Sequence, residues 1–227
     1  MKRTSFEKRT WNIKAAIFDL DGTILDSSHI WFKIDAEMLL SRNIPLEPDY
    51  IDTVLPMDFR QAAEYTIKRF NLKESVEDIL NECNQTAIKE YAHNVKLKPY
   101  AKEFIEYLYK RNMKLSIVTF LPDELSIPAL KNNDIYQYFF KIYSANNIPN
   151  GKESPEIYLK AAEEMNINPR NCVLFDDVST GIKGGLAAGM YPVGVYDKGS
   201  PKEKQKIIEM GIPFINGFDD LSQLFMW

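Results

Sequence analysis

Strand and helix patterns alternate through the second half of the chain, and this alternation limits the possible folds more than any other feature of the sequence. Short apolar or β-branched runs predict strands at residues 114–119, 139–144, 172–175 and 192–195. Helical spacing of apolar residues predicts helices at residues 100–111, 124–131, 155–165, 180–188 and 202–210, followed by a final short strand and helix. With an earlier apolar strand at residues 15–18, this order predicts an α/β fold with a doubly wound, mostly parallel, Rossmann-like sheet.

An insertion separates the first predicted strand from the alternating region. It contains no convincing strand pattern, and its three helical patterns lie near residues 29–42, 59–70 and 75–93. Pro45, Pro48 and Pro56 are predicted to break the connections between these helices. The sequence therefore predicts a core formed by residues 1–25 and 97–227 and a helical domain formed by residues 26–96.

Charge and hydropathy exclude several classes of partner. The 28 basic and 32 acidic residues give a net charge of −4, which offers no global attraction to nucleic acid or to an anionic membrane. No segment approaches the length of a membrane span, and Cys83 and Cys172 belong to no metal-binding or redox motif. We therefore expect a cytoplasmic protein with buried free thiols. The oligomeric state is left open, and a monomer is compatible with the sequence.

Two carboxylates follow directly on the first predicted strand, in the segment Asp19-Leu20-Asp21-Gly22-Thr23. The period of a strand places the side chains of Asp19 and Asp21 on the same side, and Gly22 allows the backbone to turn. Carboxylates held this close repel one another unless a cation, a shared proton or a basic neighbour relieves the repulsion. The segment therefore predicts a reactive site at the end of this strand.

Two other strand ends carry polar side chains. Thr119 ends one strand with a hydroxyl that can donate to an anion, and Asp176 and Asp177 follow another strand. Because parallel sheets bind ligands outside the carboxyl ends of their strands, we expect these residues to lie near Asp19. Oxygen ligands without a histidine or cysteine favour Mg²⁺ over zinc.

Lys152 is the candidate cation of this site. It follows Gly151 and precedes a predicted helix, in which Ser154 is expected to be the N-cap and Pro155 the first helical residue.

The order and spacing of these motifs resemble those of the haloacid dehalogenase-like (HAD) hydrolase superfamily. The similarity is to the branch with a helical cap between its first and second motifs, which includes phosphoglycolate phosphatases and β-phosphoglucomutases. The first motif corresponds to residues 19–23, the second to Thr119, the third to Lys152 with Pro155, and the fourth to Asp176 and Asp177. Gly181 and residues 187–190 match the segment after the fourth motif, and the resemblance extends from Lys14 to the C-terminus.

The resemblance implies a Mg²⁺-dependent phosphatase that acts through an aspartyl-phosphate intermediate. Asp19 would attack phosphorus, while Asp21 would protonate the leaving alcohol and then deprotonate the hydrolytic water. Mg²⁺ would be held by the Asp19 carboxylate, the Asp21 carbonyl and Asp177, with Asp176 helping directly or through water. The phosphoryl oxygens would be bound by Thr119, Lys152 and backbone N–H groups from Leu20 to Gly22.

Other activities within the same superfamily remain open. A sugar phosphate mutase of the β-phosphoglucomutase type would use the same aspartates, although Thr23 favours a phosphatase. A binding or regulatory protein of the same fold is a further alternative. A dehalogenase would be expected to lack Asp21. Phe120 and the pair Glu153-Ser154 depart from the usual residues of the family, which bears on the fit around the substrate.

The resemblance implies a small phosphorylated metabolite, such as a sugar phosphate, as the substrate. Its identity should depend on the helical insertion, whose connections near residues 25–27 and 96–99 are expected to be hinges. Residues 54–60 are the loop expected to face the site, and Arg60 is a candidate for a distal anionic group, a solvated helix arginine being the alternative.

Overall fold

Six parallel strands form the central sheet of the computed structural model, which describes residues 12–54, 57, 59–146 and 148–220. The strands are β1 (Ala15–Phe18), β2 (Lys114–Thr119), β3 (Phe139–Ser144), β4 (Cys172–Asp176), β5 (Tyr191–Val195) and β6 (Phe214–Ile215). Their order in the sheet is β3-β2-β1-β4-β5-β6, and every neighbouring pair is parallel. The predicted α/β fold class is confirmed.

The register of the central strands places their carboxyl ends at one level. Phe18, the last residue of β1, lies opposite Ile117 of β2 and Phe175 of β4. The rings of Phe18 and Phe175 are stacked with centroids 5.0 Å apart. β1 and β4 are fully buried, and Asp176, the last residue of β4, lies one position beyond the Phe18–Phe175 pair. Asp19 directly follows β1, so Asp19 and Asp176 stand at the same level of the sheet.

Nine α-helices are present among the described residues. They are α1 (Ile30–Leu40), α2 (Pro48–Val54), α3 (Phe59–Phe70), α4 (Val76–His93), α5 (Ala101–Lys110), α6 (Asp123–Asn132), α7 (Glu156–Glu164), α8 (Ser179–Ala187) and α9 (Pro201–Glu209). All but α2 lie where the sequence predicts a helix, within one or two residues at each end. The predicted C-terminal helix is a 3-10 turn at Phe218–Asp220, and residues 221–227 lie outside the described residues.

Helix α2 is the one helix that the sequence does not predict. The sequence predicts a break at Pro48, whereas Pro48 is the first residue of this helix. Proline is accepted in the first turn because the backbone N–H that it lacks has no intrahelical partner there. A smaller difference concerns α7, which begins at Glu156, with Pro155 as its N-cap. The Ser154 hydroxyl accepts the backbone N–H of Glu156 over 3.4 Å.

Among the described residues, buried apolar side chains form three groups. Two of them include residues of the central strands, and a third lies among α1 to α4. The third group contains Met38, Leu39, Tyr50, Val54, Ala63 and Ile79. We call the region from α1 to α4 the cap. Helices α1 and α4 also carry residues that pack into the core, including Ile34 and Tyr91, so the cap is packed against the sheet domain.

The two chain segments that join the cap to the core run side by side. Leu25 and Leu97 form an antiparallel bridge. The N–H of Asp26 donates to the carbonyl of Lys96, and the N–H of Lys98 donates to the carbonyl of Ile24, both over 2.9 Å. Hinge motion at these segments stays a prediction.

Cys172 is buried, Cys83 is half-buried, and both thiols are free. No described helix combines the length and the apolar character needed to cross a membrane.

Candidate active site

Three buried carboxylates meet at the carboxyl ends of β1 and β4. Asp19, Asp176 and Asp177 each have a carboxylate oxygen within 4.8 Å of the others. Burial, with repulsion from Asp19 and Asp176, raises the pKa of Asp177 to about 8. Burial also raises the pKa of Asp176 to about 6, against the attraction of Lys152. So compact a group of acids requires positive charge beside it.

Lys152 supplies one positive charge from a short 3-10 turn at Gly151–Glu153. Its Nζ lies 2.8 Å from Asp19 Oδ1 and 2.5 Å from Asp176 Oδ2, and the side chain is 2% exposed. Burial opposes ionisation, but attraction to Asp176 and Asp19 raises the pKa of Lys152 above its usual value. Lys152 therefore stays protonated and reduces the repulsion between these two carboxylates.

Helix α8 approaches Lys152 and Asp176 closely because its glycines leave room. A Cβ on Gly181 would lie 2.0 Å from Asp176 Oδ2, and a Cβ on Gly184 would lie 2.1 Å from the Lys152 carbonyl oxygen. These two glycines are three residues apart and so share one face of the helix. This is the physical reason for glycine in the segment after the Asp176-Asp177 motif.

The turn after β1 joins the carboxylates of the two strand ends. The Thr23 hydroxyl lies 3.0 Å from both Asp19 Oδ2 and Asp177 Oδ1, so it can donate to either, and it accepts the backbone N–H of Asp177. Gly22 has a φ of +73°, and a Cβ there would lie 2.7 Å from Asp177 Oδ2. Gly22 is therefore required both for the turn and for the space that Asp177 occupies.

Asp21 forms its side-chain hydrogen bonds with residues other than those that contact Asp19. Its Oδ1 accepts hydrogen bonds from the Ser27 hydroxyl at 2.7 Å and from the Tyr91 hydroxyl at 2.8 Å. Burial raises the pKa of Asp21 to about 6, with the Ser27 bond acting in the opposite direction and Asp19 adding to the rise. An acid with this pKa can both release and accept a proton near neutral pH.

The remaining predicted phosphate-binding groups surround the same strand ends. Thr119 is buried at the end of β2, and its Oγ1 accepts the backbone N–H of Leu121 at 3.0 Å, which leaves the hydroxyl proton free to be donated. Leu20 is buried, and its carbonyl accepts N–H groups of the turn that follows. The N–H of Gly22 donates to the Leu25 carbonyl at 3.2 Å, so an anion would have to compete with that bond.

Four residues that the sequence analysis did not single out complete the site. Ser27 and Tyr91 hold Asp21, Ser200 donates to Asp177 Oδ2 at 2.9 Å, and Lys98 donates to the Gly22 carbonyl. Ser27 and Lys98 lie in the two expected hinges, at residues 25–27 and 96–99, which is a weak signal. Tyr91 and Ser200 come from distant segments and carry no local motif.

The other residues that the sequence singles out have surroundings different from those of the carboxylate group. Arg60 is exposed on α3 and pairs with Glu77 of α4 at 2.9 Å. Phe120 is half exposed, and a Cβ on Gly151 would lie 2.6 Å from its ring. Glu153 pairs with Lys183 at 2.9 Å. The loop at residues 54–60 lies partly outside the described residues.

The donor chemistry of the carboxylate group fits a hard divalent cation. The three side chains offer oxygen ligands alone, and no cysteine or histidine belongs to the group. Residues 19, 176 and 177 could hold such an ion. Its positive charge would add to that of Lys152 against the mutual repulsion of the acids.

Known proteins are similar to this chain in sequence and in fold. A phosphorylated carbohydrates phosphatase of Thermotoga maritima is 25% identical over 178 residues, which are 78% of this chain and 82% of that protein. Hexitol phosphatase B of Escherichia coli K12 is 24% identical over 188 residues, covering 81% of this chain and 83% of that protein. The crystal structure of a HAD family hydrolase from Deinococcus radiodurans, with bound phosphate and sodium, superimposes with a TM-score of 0.74 at 22% identity, covering 93% of this chain and 94% of that one.

The family match includes every motif described above. The sequence pattern of the haloacid dehalogenase-like hydrolases matches residues 16–195, from β1 to the end of β5. A match over most of the chain shows membership rather than a shared local motif, and the chain belongs to the haloacid dehalogenase-like hydrolase family.

Proposed function

We propose that this protein is a Mg²⁺-dependent phosphatase of a small phosphorylated metabolite, with a sugar phosphate as the preferred class. The observation that carries the proposal is the placement of Asp19, which contacts Lys152 through Oδ1 and Thr23 through Oδ2. A nucleophilic carboxylate must meet a phosphate dianion, and the positive charge beside it lowers their repulsion. The names of the relatives from Thermotoga maritima and Escherichia coli support the sugar phosphate class.

In the proposed reaction, the Asp19 carboxylate attacks phosphorus in line with the ester oxygen. The phosphorus–oxygen ester bond breaks, and the leaving alcohol takes a proton from Asp21. Asp21 then removes a proton from water, whose oxygen attacks the phosphorus of the aspartyl-phosphate and releases inorganic phosphate and the Asp19 carboxylate. The two hydrogen bonds from Ser27 and Tyr91 hold Asp21 in position for both steps.

Charge stabilisation comes from groups around Asp19. Lys152 and the Thr119 hydroxyl are proposed to bind the transferring phosphoryl oxygens, together with backbone N–H groups of the turn from Leu20 to Gly22. A bound Mg²⁺ would supply further positive charge to the phosphoryl group and to the carboxylates of Asp19, Asp176 and Asp177.

Phosphate release from a panel of phosphomonoesters tests the proposal. The panel contains hexose phosphates and phosphoglycolate, each assayed with and without Mg²⁺. We expect release that requires Mg²⁺, is lost in Asp19→Asn and is kept in Asp134→Asn, which removes a charge at an exposed position. Conversion of a sugar 1-phosphate into its 6-phosphate without phosphate release would favour the mutase alternative. No turnover of either kind would contradict both enzymatic functions.

A further inference from the structure

A cavity of about 280 Å³ lies among the helices of the cap. Its described lining is mostly apolar and includes Trp31, Met38, Tyr50 and Phe59. Asp35 is the one charged residue among the described residues of this lining. A mainly apolar pocket with a single charged group is the usual form of a small-molecule site, in which the charged group determines which ligands are accepted.

The position of Asp35 on α1 directs it into this cavity. Trp31, Asp35 and Met38 are separated by four and three residues, so they share one face of the helix, and all three line the cavity. Asp35 is half-buried and receives no hydrogen bond or ion pair from any described residue. Burial raises the pKa of Asp35 to about 6, so its carboxylate is ionised above pH 7.

The cavity lies next to the residues that hold Asp21. Ser27 donates to Asp21, and the adjacent Ser28 lines the cavity. The Trp31 ring, which also lines it, has its centroid 6.3 Å from that of Tyr91, the second donor to Asp21. In the proposed reaction Asp21 protonates the leaving oxygen, so the remainder of the leaving group starts beside this part of the cap.

We propose that the cavity receives the leaving group of the phosphomonoester, and that Asp35 selects leaving groups with hydroxyl or ammonium groups against those with a carboxylate. This inference rests on the proposed phosphatase function and specifies its substrate class. The cavity volume is near the lower end for small-molecule sites and suits one monosaccharide unit.

The side chains around Asp35 match such a leaving group. Trp31 and Phe59 have ring centroids 4.8 Å apart and offer aromatic surface to the C–H groups of a sugar. The Asp35 carboxylate can accept hydrogen bonds from hydroxyl groups and attracts an ammonium group, whereas it repels a carboxylate.

Two substrate pairs test the selection by charge. Glucitol 6-phosphate and 6-phosphogluconate are both linear and differ in a terminal carboxylate. Glucose 6-phosphate and glucosamine 6-phosphate share one ring and differ in an ammonium group. We expect kcat/KM at pH 7.5 to be at least about 10-fold higher for glucitol 6-phosphate than for 6-phosphogluconate. We also expect kcat/KM to be higher for glucosamine 6-phosphate than for glucose 6-phosphate.

In Asp35→Asn, the preference for glucitol 6-phosphate over 6-phosphogluconate should fall about 10-fold, and the preference for glucosamine 6-phosphate over glucose 6-phosphate should be lost. The substitution removes the charge and retains a hydrogen-bonding side chain. The matched control is Glu37→Gln, which removes the same charge at an exposed position of α1 and should leave both ratios unchanged. Unchanged ratios in Asp35→Asn, or equal changes in both variants, would overturn the inference. Loss of phosphate release from every substrate would instead contradict the proposed function, so the two failures are distinguishable.

Discussion

The Lys98 ammonium lies 3.1 Å from Asp197 Oδ1, and these two side chains are 11% and 4% exposed. Lys98 belongs to the segment that returns from the cap, and its Nζ also donates to the carbonyls of Gly22 and Tyr196. Asp197 Oδ2 accepts the backbone N–H of Gly199 in the loop after β5. The pair therefore ties the cap connection, the turn after β1 and this loop together.

Breaking this pair should destabilise the protein. We expect Lys98→Met to lower the free energy of unfolding by about 3–5 kcal/mol, because it leaves the Asp197 carboxylate buried without its cation. The double variant with Asp197→Asn should lose less than the sum of the single variants, by about 1–3 kcal/mol. Urea unfolding of the four proteins measures this coupling.

The surface pair of Lys102 with Asp134, 3.5 Å apart, is the matched control. Lys102→Met should change the free energy of unfolding by less than about 0.5 kcal/mol, because exposed ion pairs contribute little. Additive effects of the substitutions at 98 and 197 would argue against the coupling.

Binding of Mg²⁺ should stabilise the folded protein through the three carboxylates. At 100 times its dissociation constant, a ligand specific to the folded state adds about 2.7 kcal/mol, which is about 5–10 °C in Tm for a chain of this size. We expect EDTA to reverse the increase and Asp177→Asn to abolish it. Thermal unfolding with and without Mg²⁺ measures both effects.

The control for this measurement is Asp134→Asn, whose carboxylate is far more exposed than those of the three acids. It should keep the full Mg²⁺ effect on Tm. An equal effect of Mg²⁺ in Asp177→Asn would place the ion elsewhere on the protein.

Tyr100 should be replaceable by glycine with a gain in stability. Its backbone has a φ of 64° and a ψ of 2° at the start of α5, in the left-handed region that disfavours residues with a Cβ, and its side chain is exposed. We expect Tyr100→Gly to raise the free energy of unfolding by about 0.5–1 kcal/mol, measured by urea unfolding. The matched substitution Tyr109→Gly lies inside the same helix and should lower it by about 1 kcal/mol. A loss of stability in both variants would contradict this expectation.

The sequence predicts those parts of the fold that local patterns determine. Strands β1, β2 and β3 have the predicted bounds because each is a short run of mainly apolar, β-branched or aromatic residues. The sequence does not predict helix α2, because proline in the first turn of a helix has the same local signature as proline in a loop.

The candidate site likewise has a part that the sequence predicts and a part that it does not. Asp19, Asp176 and Asp177 lie at the carboxyl ends of strands of a parallel sheet, so their meeting at one edge can be predicted from the alternation of strands and helices. Tyr91 reaches the site through the packing of α4 against the core, and Lys98 reaches it through the pairing of the two connecting segments. No periodicity in the sequence reports either contact. The division of the chain at residues 26 and 96 stays a prediction.

The carboxylate of Asp35, which has no hydrogen bond or ion pair with any described residue, faces Tyr50 and Cys83 in the cap cavity, and its ionisation makes stability depend on pH. Its pKa rises from 3.8 to about 6 on folding because burial disfavours the charged form. Between these values the folded state binds more protons than the unfolded state, so the contribution of Asp35 to stability falls as the pH rises through this window. Above pH 6 the full destabilisation is present. Two pKa units correspond to about 3 kcal/mol, which partial exposure to solvent reduces to about 1–2 kcal/mol.

We therefore expect Asp35→Asn to be more stable than the native protein by about 1–2 kcal/mol at pH 7.5, with the difference falling to near zero by about pH 3. Urea unfolding of both proteins across this range measures the difference. Glu37→Gln, which removes a carboxylate at an exposed position of the same helix, is the control measured in parallel. A difference that is constant with pH would mean that the stabilisation comes from the shape of the asparagine side chain rather than from the removed charge. In that case Asp35 would not be the ionised group that the selection of leaving groups requires.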